Sequence, residues 1–253
     1  MKNKKSLGQH WLTDRGVLLD IANLAAGGAD VVVEIGPGLG TLTSALFKFF
    51  ERVVAIEFDA ELARKLPGSF PGKDLTVLNQ DVLSINEEQL PEKYVLAGNI
   101  PYYITSPIIQ KFLAGKNKPQ KIVLLIQKEV AERLAGEKGN YSILGLSAQI
   151  YAKVSLGPVV KRELFVPPPK VDSQVVILEP YAKPLATEST MALIKIGFRA
   201  PRKKLVSNLT AGLQIPKEEV MGALLGLGVH ENARPADLTI EDWVALEKKL
   251  HKR

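Results

Sequence analysis

Short apolar runs alternate with amphipathic stretches through the first half of the chain. Residues 30–35 form a nearly continuous apolar run that ends in a glycine-rich turn, the pattern of a buried strand. Residues 41–50 then read as a helix. Residues 52–57, 75–78, 94–98 and 121–127 predict four more strands. Between them, residues 60–66 predict a short helix stopped by Pro67-Gly68, and residues 108–113 open another. Strands of this kind separated by helices predict βαβ units. The expected architecture is α/β, with a mostly parallel sheet and helices on both faces.

The pattern changes after Pro180. Residues 181–189 carry proline, serine and threonine and read as a linker. Beyond it the periodicity is helical over residues 191–198, 203–213, 217–227 and 240–250. Thr239 and Asp242 predict a capping box at the start of the last helix, with Asp in place of the usual Glu. Two domains are expected, 1–182 and a small helical one over 183–253.

Composition narrows the function classes. The chain has 253 residues, 46% hydrophobic and 24% charged, which suits a soluble protein with a sizeable core. There is no cysteine, so disulfides, thiolate chemistry and cysteine-held metals are excluded. His10, His230 and His251 are scattered, and no metal is expected. Apolar runs of about five residues fall far short of the ~20 needed for a membrane span. Asp14, Arg15 and Asp20 interrupt any secretory leader, so the cytoplasm is the expected compartment. The net charge of +6 suggests a polyanionic partner.

Parallel sheets bind ligands beyond the carboxyl ends of their strands. Gly36, Glu57, Asp81 and Asn99 each fall at or just after a strand end. In Glu34-Ile35-Gly36-Pro37-Gly38-Leu39-Gly40 the third glycine comes one residue too early for the dinucleotide fingerprint. Glu57 can accept both hydroxyls of a ribose, a geometry that serves several nucleoside cofactors alike. Asp81 can accept from an adenine amino group, or simply belong to a loop.

Asn99-Ile100-Pro101-Tyr102 is the sharpest motif. An adenine amino nitrogen is a poor nucleophile, because its lone pair is delocalised into the ring. Two acceptors on its hydrogens favour a pyramidal nitrogen and free the lone pair. The Asn99 side-chain carbonyl and the Ile100 backbone carbonyl can supply them. Pro101 biases Ile100 toward an extended conformation. Tyr102 offers a flat face for a base, worth ~1–3 kcal/mol.

On these motifs the chain resembles the ribosomal RNA adenine N6-dimethyltransferases. Further matching segments are Lys5 to Leu12, Ile56-Glu57-Phe58-Asp59, Gln127-Lys128-Glu129-Val130, Phe165 to Ser173, Phe198 to Leu205 and Arg234 to Thr239. The resemblance implies a Rossmann-like methyltransferase domain and a C-terminal helical domain that binds RNA. It implies S-adenosylmethionine (SAM) as consumed methyl donor, no metal, and 16S rRNA in the small ribosomal subunit or its precursor as partner. The reaction would convert two adjacent adenosines near the 3′ end of that RNA to N6,N6-dimethyladenosine. By position, His10 and Leu12 would line the cofactor, with Gly36 near its amino-acid part and Gly38 in the same loop. Glu57 would hold the ribose, Asp81 the adenine, and Asn99 the edge between cofactor and target. Phe165 would face Tyr102 and sandwich a flipped base, or pack against the proline run that follows it. The family often has Asn-Phe where this chain has His10-Trp11, and imidazole is expected to keep the hydrogen-bonding role.

Arg199, Arg202, Lys203 and Lys204 are clustered cations suited to phosphate contact. Lys2, Lys4, Lys5, Lys248, Lys249, Lys252 and Arg253 are weaker candidates. Pro201, where Gln or Arg is common in the family, is expected to shift a helix start without removing charge. A monomer is expected. The alternatives are a macrolide-resistance-type 23S rRNA methyltransferase with the same motif, and a non-catalytic RNA-binding ribosome assembly factor. A nicotinamide oxidoreductase fails on the glycine spacing.

Overall fold

The computed structural model describes residues 10–250. The described residues divide into two compact units, one of residues 10–132 with 152–180 and the other of 133–151 with 181–250. This division differs from the expected single boundary at 182/183 in residues 133–151. In chain order the strands are β1 (Trp11–Leu12), β2 (Val31–Ile35), β3 (Arg52–Ile56), β4 (Asp74–Leu78), β5 (Val95–Asn99), β6 (Lys121–Gln127), β7 (Ala152–Val160), β8 (Phe165–Val166) and β9 (Ser173–Pro180). The α-helices are α1 (Arg15–Ala25), α2 (Thr41–Leu46), α3 (Ala60–Lys65), α4 (Thr105–Ala114), α5 (Lys128–Leu134), α6 (Ile143–Gln149), α7 (Glu188–Gly197), α8 (Leu205–Leu213), α9 (Lys217–Leu225) and α10 (Ile240–Leu250).

The first unit is built on a seven-stranded sheet in the order β4-β3-β2-β5-β6-β9-β7. The pairs among β2 to β6 are parallel, and β9 and β7 close one edge antiparallel. Along the strands, Val32, Val53, Val95, Ala97, Val123 and Leu125 share a core with α1 and α2. Their neighbours Val33, Val54, Leu96 and Leu124 point to the opposite face and are buried too. Burial on both faces explains why these strands read as continuous apolar runs rather than alternating ones.

Two parts of this unit left little trace in the sequence. Edge strand β7 is half exposed and carries a bulge between Leu156 and Val159, where Gly157-Pro158 interrupts the pairing. Strands β1 and β8 are two residues each and pair antiparallel, Trp11 with Val166 and Leu12 with Phe165.

The second unit packs α7 to α10 around Trp243, Leu193, Ile194, Leu205, Leu209 and Leu246. Leu146 of α6 and Ile150 beside it are buried in the same core, which is why that segment groups with the C-terminal helices. The capping box forms as expected: Thr239 N–H donates to Asp242 at 2.9 Å, and Asp242 N–H to the Thr239 hydroxyl at 3.1 Å. No helix among the described residues is long and apolar enough to cross a membrane.

Candidate active site

The parallel strand order reverses at β2, which has β3 on one side and β5 on the other. A crevice forms beyond the strand ends at such a switch point. Here it is a cavity of about 320 Å³ lined from four strand ends: Gly36 to Gly38 after β2, Glu57 and Phe58 after β3, Gln80 and Asp81 after β4, and Asn99 to Ile104 after β5. His10, Trp11 and Leu12 complete it. Gly36 has φ +63°, and a Cβ built there would meet nothing within 4 Å, so the turn leaves open space for a ligand beside its backbone. Gly98 answers the opposite need. A Cβ there would stand 2.8 Å from the Ile35 carbonyl, so only glycine lets β5 run this close to β2.

Glu57 is held from two sides. Gly38 N–H donates to Oε2 at 3.1 Å and Asp59 N–H to Oε1 at 2.8 Å. Burial raises its pKa above the usual carboxylate range, opposed by those two backbone donors. A carboxylate has about four acceptor sites, so a pair of hydroxyl donors can still be taken. The Asn79 amide, which the sequence did not single out, donates to the Glu57 and Phe58 carbonyls at 2.8 and 3.2 Å and fixes this strand end. Asp81 is exposed, and its Oδ1 accepts from Leu83 N–H at 2.9 Å.

Asn99 donates its side-chain amide to the His10 carbonyl at 3.0 Å. That bond fixes which end of the amide is the donor and leaves Oδ1 as the acceptor. Ile100, Pro101 and Tyr102 follow on the cavity wall. The Tyr102 hydroxyl lies 2.9 Å from the Ser173 hydroxyl. Burial pushes the phenol's pKa up, so the ring stays neutral.

Of the two alternatives for Phe165, facing Tyr102 or packing, the structure has it packed. Phe165 is 2% exposed and packs in the core with Leu12, Leu18 and Val160, and it is absent from the cavity lining. Strand alternation explains this: Phe165 of β8 turns inward and Val166 outward, 56% exposed. His10 lines the cavity as expected, but its ring engages the Tyr102 side. Its Nδ1–H donates to the Pro167 carbonyl at 2.8 Å, and its ring faces that of Tyr102 with centroids 6.2 Å apart and planes 19° from parallel. Leu12 lines the cavity and is 1% exposed.

The charged side chains of the lining are Glu34, Glu57 and Asp81, with no Lys or Arg among the described residues that line it. A pyrophosphate would meet no Lys or Arg there, whereas a cationic nucleoside meets the carboxyl groups of Glu57 and Asp81. Glu34 is 1% exposed, accepts the Thr43 hydroxyl at 2.6 Å, and is pushed up to about 8 by burial. Between its ordinary value of 4.5 and about 8 the folded state therefore holds a proton that the unfolded chain releases. Stability is present below that window and falls as pH rises through it. Glu34→Gln, which cannot ionise, is expected to gain on the wild type by up to ~2–4 kcal/mol as pH is raised from 5 to 8. Urea unfolding at several pH values checks this. A difference independent of pH would mean that Glu34 ionises normally in the fold.

The profile of the ribosomal RNA adenine dimethylases matches residues 1–252. The chain belongs to the ribosomal RNA adenine dimethylase family. It is thus a methyltransferase with a Rossmann-like fold. Ribosomal RNA small subunit methyltransferase A of Dehalococcoides mccartyi strain CBDB1 is 37% identical over 97% of this chain and 88% of its own length. The protein of that name from Acaryochloris marina is 38% identical over 98% and 97%. Among solved structures, a dimethyladenosine transferase from Plasmodium falciparum superposes with TM-score 0.80 and 30% identity, covering 95% of this chain and 98% of that one. The 23S rRNA methyltransferase ErmE gives 0.79 and 29%, covering 96% and 100%.

The clustered cations belong to the second unit. Arg199, Arg202, Lys203 and Lys204 are all exposed, and none forms a salt bridge among the described residues. The Asn208 amide donates to the Gly197 and Ala200 carbonyls at 2.5 and 3.0 Å and braces the turn that carries them. Helix α8 starts at Leu205, two residues later than expected, and Lys204 takes the capping position. Lys249 donates to the Gly226 carbonyl at 2.8 Å and caps α9. Lys2, Lys4, Lys5, Lys252 and Arg253 lie outside the described residues.

Proposed function

We propose that this enzyme transfers methyl groups from SAM to N6 of two adjacent adenosines near the 3′ end of 16S rRNA, in the small ribosomal subunit or its precursor. The curated relatives that match over nearly the whole chain carry the small-subunit name and favour that substrate over the large-subunit alternative. The single observation that carries the chemistry is the Asn99 amide, tied by its N–H to His10 so that Oδ1 is left to accept.

The lining fits the donor. Gly36 leaves backbone space for its amino-acid part, Glu57 suits the ribose hydroxyls, and Asp81 suits the adenine amino group. An acidic wall favours a sulfonium over a phosphorylated nucleotide. When bound, the donor supplies an electrophilic methyl carbon. Asn99 Oδ1 and the Ile100 carbonyl accept the two N6 hydrogens and draw the nitrogen toward a pyramidal geometry, freeing its lone pair. Tyr102 holds the base by stacking. No strong base is required, because the methylated amine loses its proton readily to water.

Arg199, Arg202, Lys203 and Lys204 stand beside the N-terminus of α8, whose dipole adds to their attraction for phosphate. We assign them to the RNA backbone. Lys203→Glu combined with Lys204→Glu is expected to lower RNA affinity and reduce the salt slope by about two. Titration of RNA binding from 50 to 200 mM salt measures this, and an unchanged slope would make these lysines a solvated face only.

The substrate is tested by incubating the protein and isotopically labelled SAM with unmodified small and large ribosomal subunits, followed by nucleoside mass spectrometry. Dimethyladenosine in small-subunit RNA alone is expected. Label in large-subunit RNA would move the enzyme to the macrolide-resistance type. No label in either, with SAM bound, would favour a non-catalytic assembly factor.

A further inference from the structure

We propose that a cavity of the second unit, between the turn after α9 and the start of α10, takes an unpaired guanine of the RNA. The inference rests on the assignment of this unit's cations to RNA. It adds a base to be read to the phosphates already held.

The cavity holds about 390 Å³, within the ~300–1,000 Å³ of pockets that take small organic ligands. All of its lining belongs to the second unit. Leu227, Val229 and Ala233 supply apolar wall for the face of a base. A Cβ built on Gly228 would meet nothing within 4 Å, so the turn leaves room beside its backbone. Five polar side chains share the lining, and each keeps hydrogen-bonding capacity in hand. Asp237 Oδ2 accepts Arg234 N–H at 2.7 Å, and Asp242 Oδ2 accepts Thr239 N–H at 2.9 Å. The second oxygen of each carboxylate has no partner among the described residues. His230 Nδ1 accepts Asn232 N–H at 3.1 Å, which puts the proton of the neutral ring on Nε2. The Asn232 amide and the Lys138 ammonium have no side-chain partner among the described residues.

That set of groups selects the ligand. A lone cation would meet Lys138, and a phosphate would meet two carboxylates. A neutral group with both donors and acceptors uses all of them. The two unspent carboxylate oxygens call for two donors on one edge. Guanine is the RNA base that has them side by side, at N1–H and the N2 amino group. Adenine, cytosine and uracil each set an acceptor next to their donor and would turn a lone pair toward one carboxylate. The guanine O6 and N7 acceptors then suit Lys138, His230 Nε2–H and the Asn232 amide. Unpaired RNA bases are read on these same edges. The RNA source follows from what adjoins the cavity. Leu205 N–H donates to the carbonyl of Ala233 at 2.8 Å, so the segment of Arg202, Lys203 and Lys204 leads onto the cavity wall. A strand whose phosphates lie on those cations passes beside the cavity.

The test uses the full-length protein and single-stranded oligouridylates that carry one central guanosine, inosine or adenosine. Fluorescence anisotropy of the labelled RNA gives affinity, and amide NMR shifts at Gly228, Val229 and Asn232 give the site. The guanosine oligomer is expected to move those amides. It should bind roughly 5–150-fold tighter than the adenosine oligomer, the range of one well-placed pair of hydrogen bonds to a base edge. Inosine, which lacks only the N2 amino group, should fall between them. Asp237→Asn combined with Asp242→Asn keeps an acceptor for each capped N–H and replaces the other oxygen with a donor. That variant should lose the preference for guanosine, while its amide spectrum away from the cavity stays that of the wild type. Equal affinity for the three oligomers, or a guanosine preference that survives in the variant, would overturn the proposal. Guanosine monophosphate binding as tightly as the oligomer would also overturn it, since the ligand would then be a free nucleotide. None of these readouts uses methyl transfer. A wild type that methylates neither subunit's RNA would fail the substrate reading and leave the guanine site standing.

Discussion

Replacing Asn99 with Ala is expected to lower methyl transfer by roughly 10²–10³-fold, the loss seen when one oriented polar group is removed from a developing charge. The side chain serves two partners. Its N–H ties the loop after β5 to the His10 carbonyl, and its oxygen is left as an acceptor on a residue that lines the cavity. Ala removes both, so under the proposed mechanism the reacting nitrogen loses one of its two acceptors, and the loop loses its tether to the residue before β1. The proposed donor contacts lie mainly at the ends of β2, β3 and β4, so the SAM dissociation constant is expected to change much less. Single-turnover rates at saturating SAM, set beside calorimetric binding, separate the two effects. Equal losses of affinity and rate would assign Asn99 to donor binding instead.

Tyr102→Ala carries the second large effect. Loss of one stacking face is worth ~1–3 kcal/mol per base, or roughly 5–150-fold in capture of the target. The loss should appear in KM for the ribosomal subunit, with SAM affinity unchanged. Tyr102→Phe keeps the ring and gives up only the contact with Ser173 at 2.9 Å, so it should fall within a few-fold of wild type. If Tyr102→Ala retained normal transfer at limiting subunits, stacking on this ring would be ruled out. If Tyr102→Phe were as damaged as Tyr102→Ala, the hydroxyl rather than the ring would be the working group.

The parts of the fold that were legible are those where one local rule decides the outcome. Strands β2, β3, β5 and β6 are buried on both faces and bounded by glycine or charge, so their apolar runs mark them directly. That Gly36, Glu57, Asp81 and Asn99 would lie together was legible because a parallel sheet gathers its strand ends in one place, and all four line one cavity. The capping box of α10 was legible because its two partners are three residues apart.

What stayed hidden depends on contacts distant along the chain or on very short pieces. The Asn99–His10 bond joins residues 89 apart, and nothing near either one signals it. Strands β1 and β8 have two residues each, too few for any periodicity, yet their pairing turns Phe165 inward. Strand β7 alternates poorly, because its bulge changes which residues face the core. Residues 133–151 follow strand β6 in sequence but bury Leu146 and Ile150 in the helical core, a grouping that sequence order alone does not signal.

The most direct measurement is the distance from the adenine amino nitrogen to Asn99 Oδ1 and the Ile100 carbonyl. It comes from a crystal structure of the protein with S-adenosylhomocysteine and an adenosine-containing fragment of the target RNA. The account expects N6 within hydrogen-bonding reach of both oxygens, ~3 Å, with the ring against Tyr102 and the thioether sulfur on the far side of the nitrogen. An adenine that binds elsewhere, or an Asn99 that turns its N–H toward N6, would contradict it.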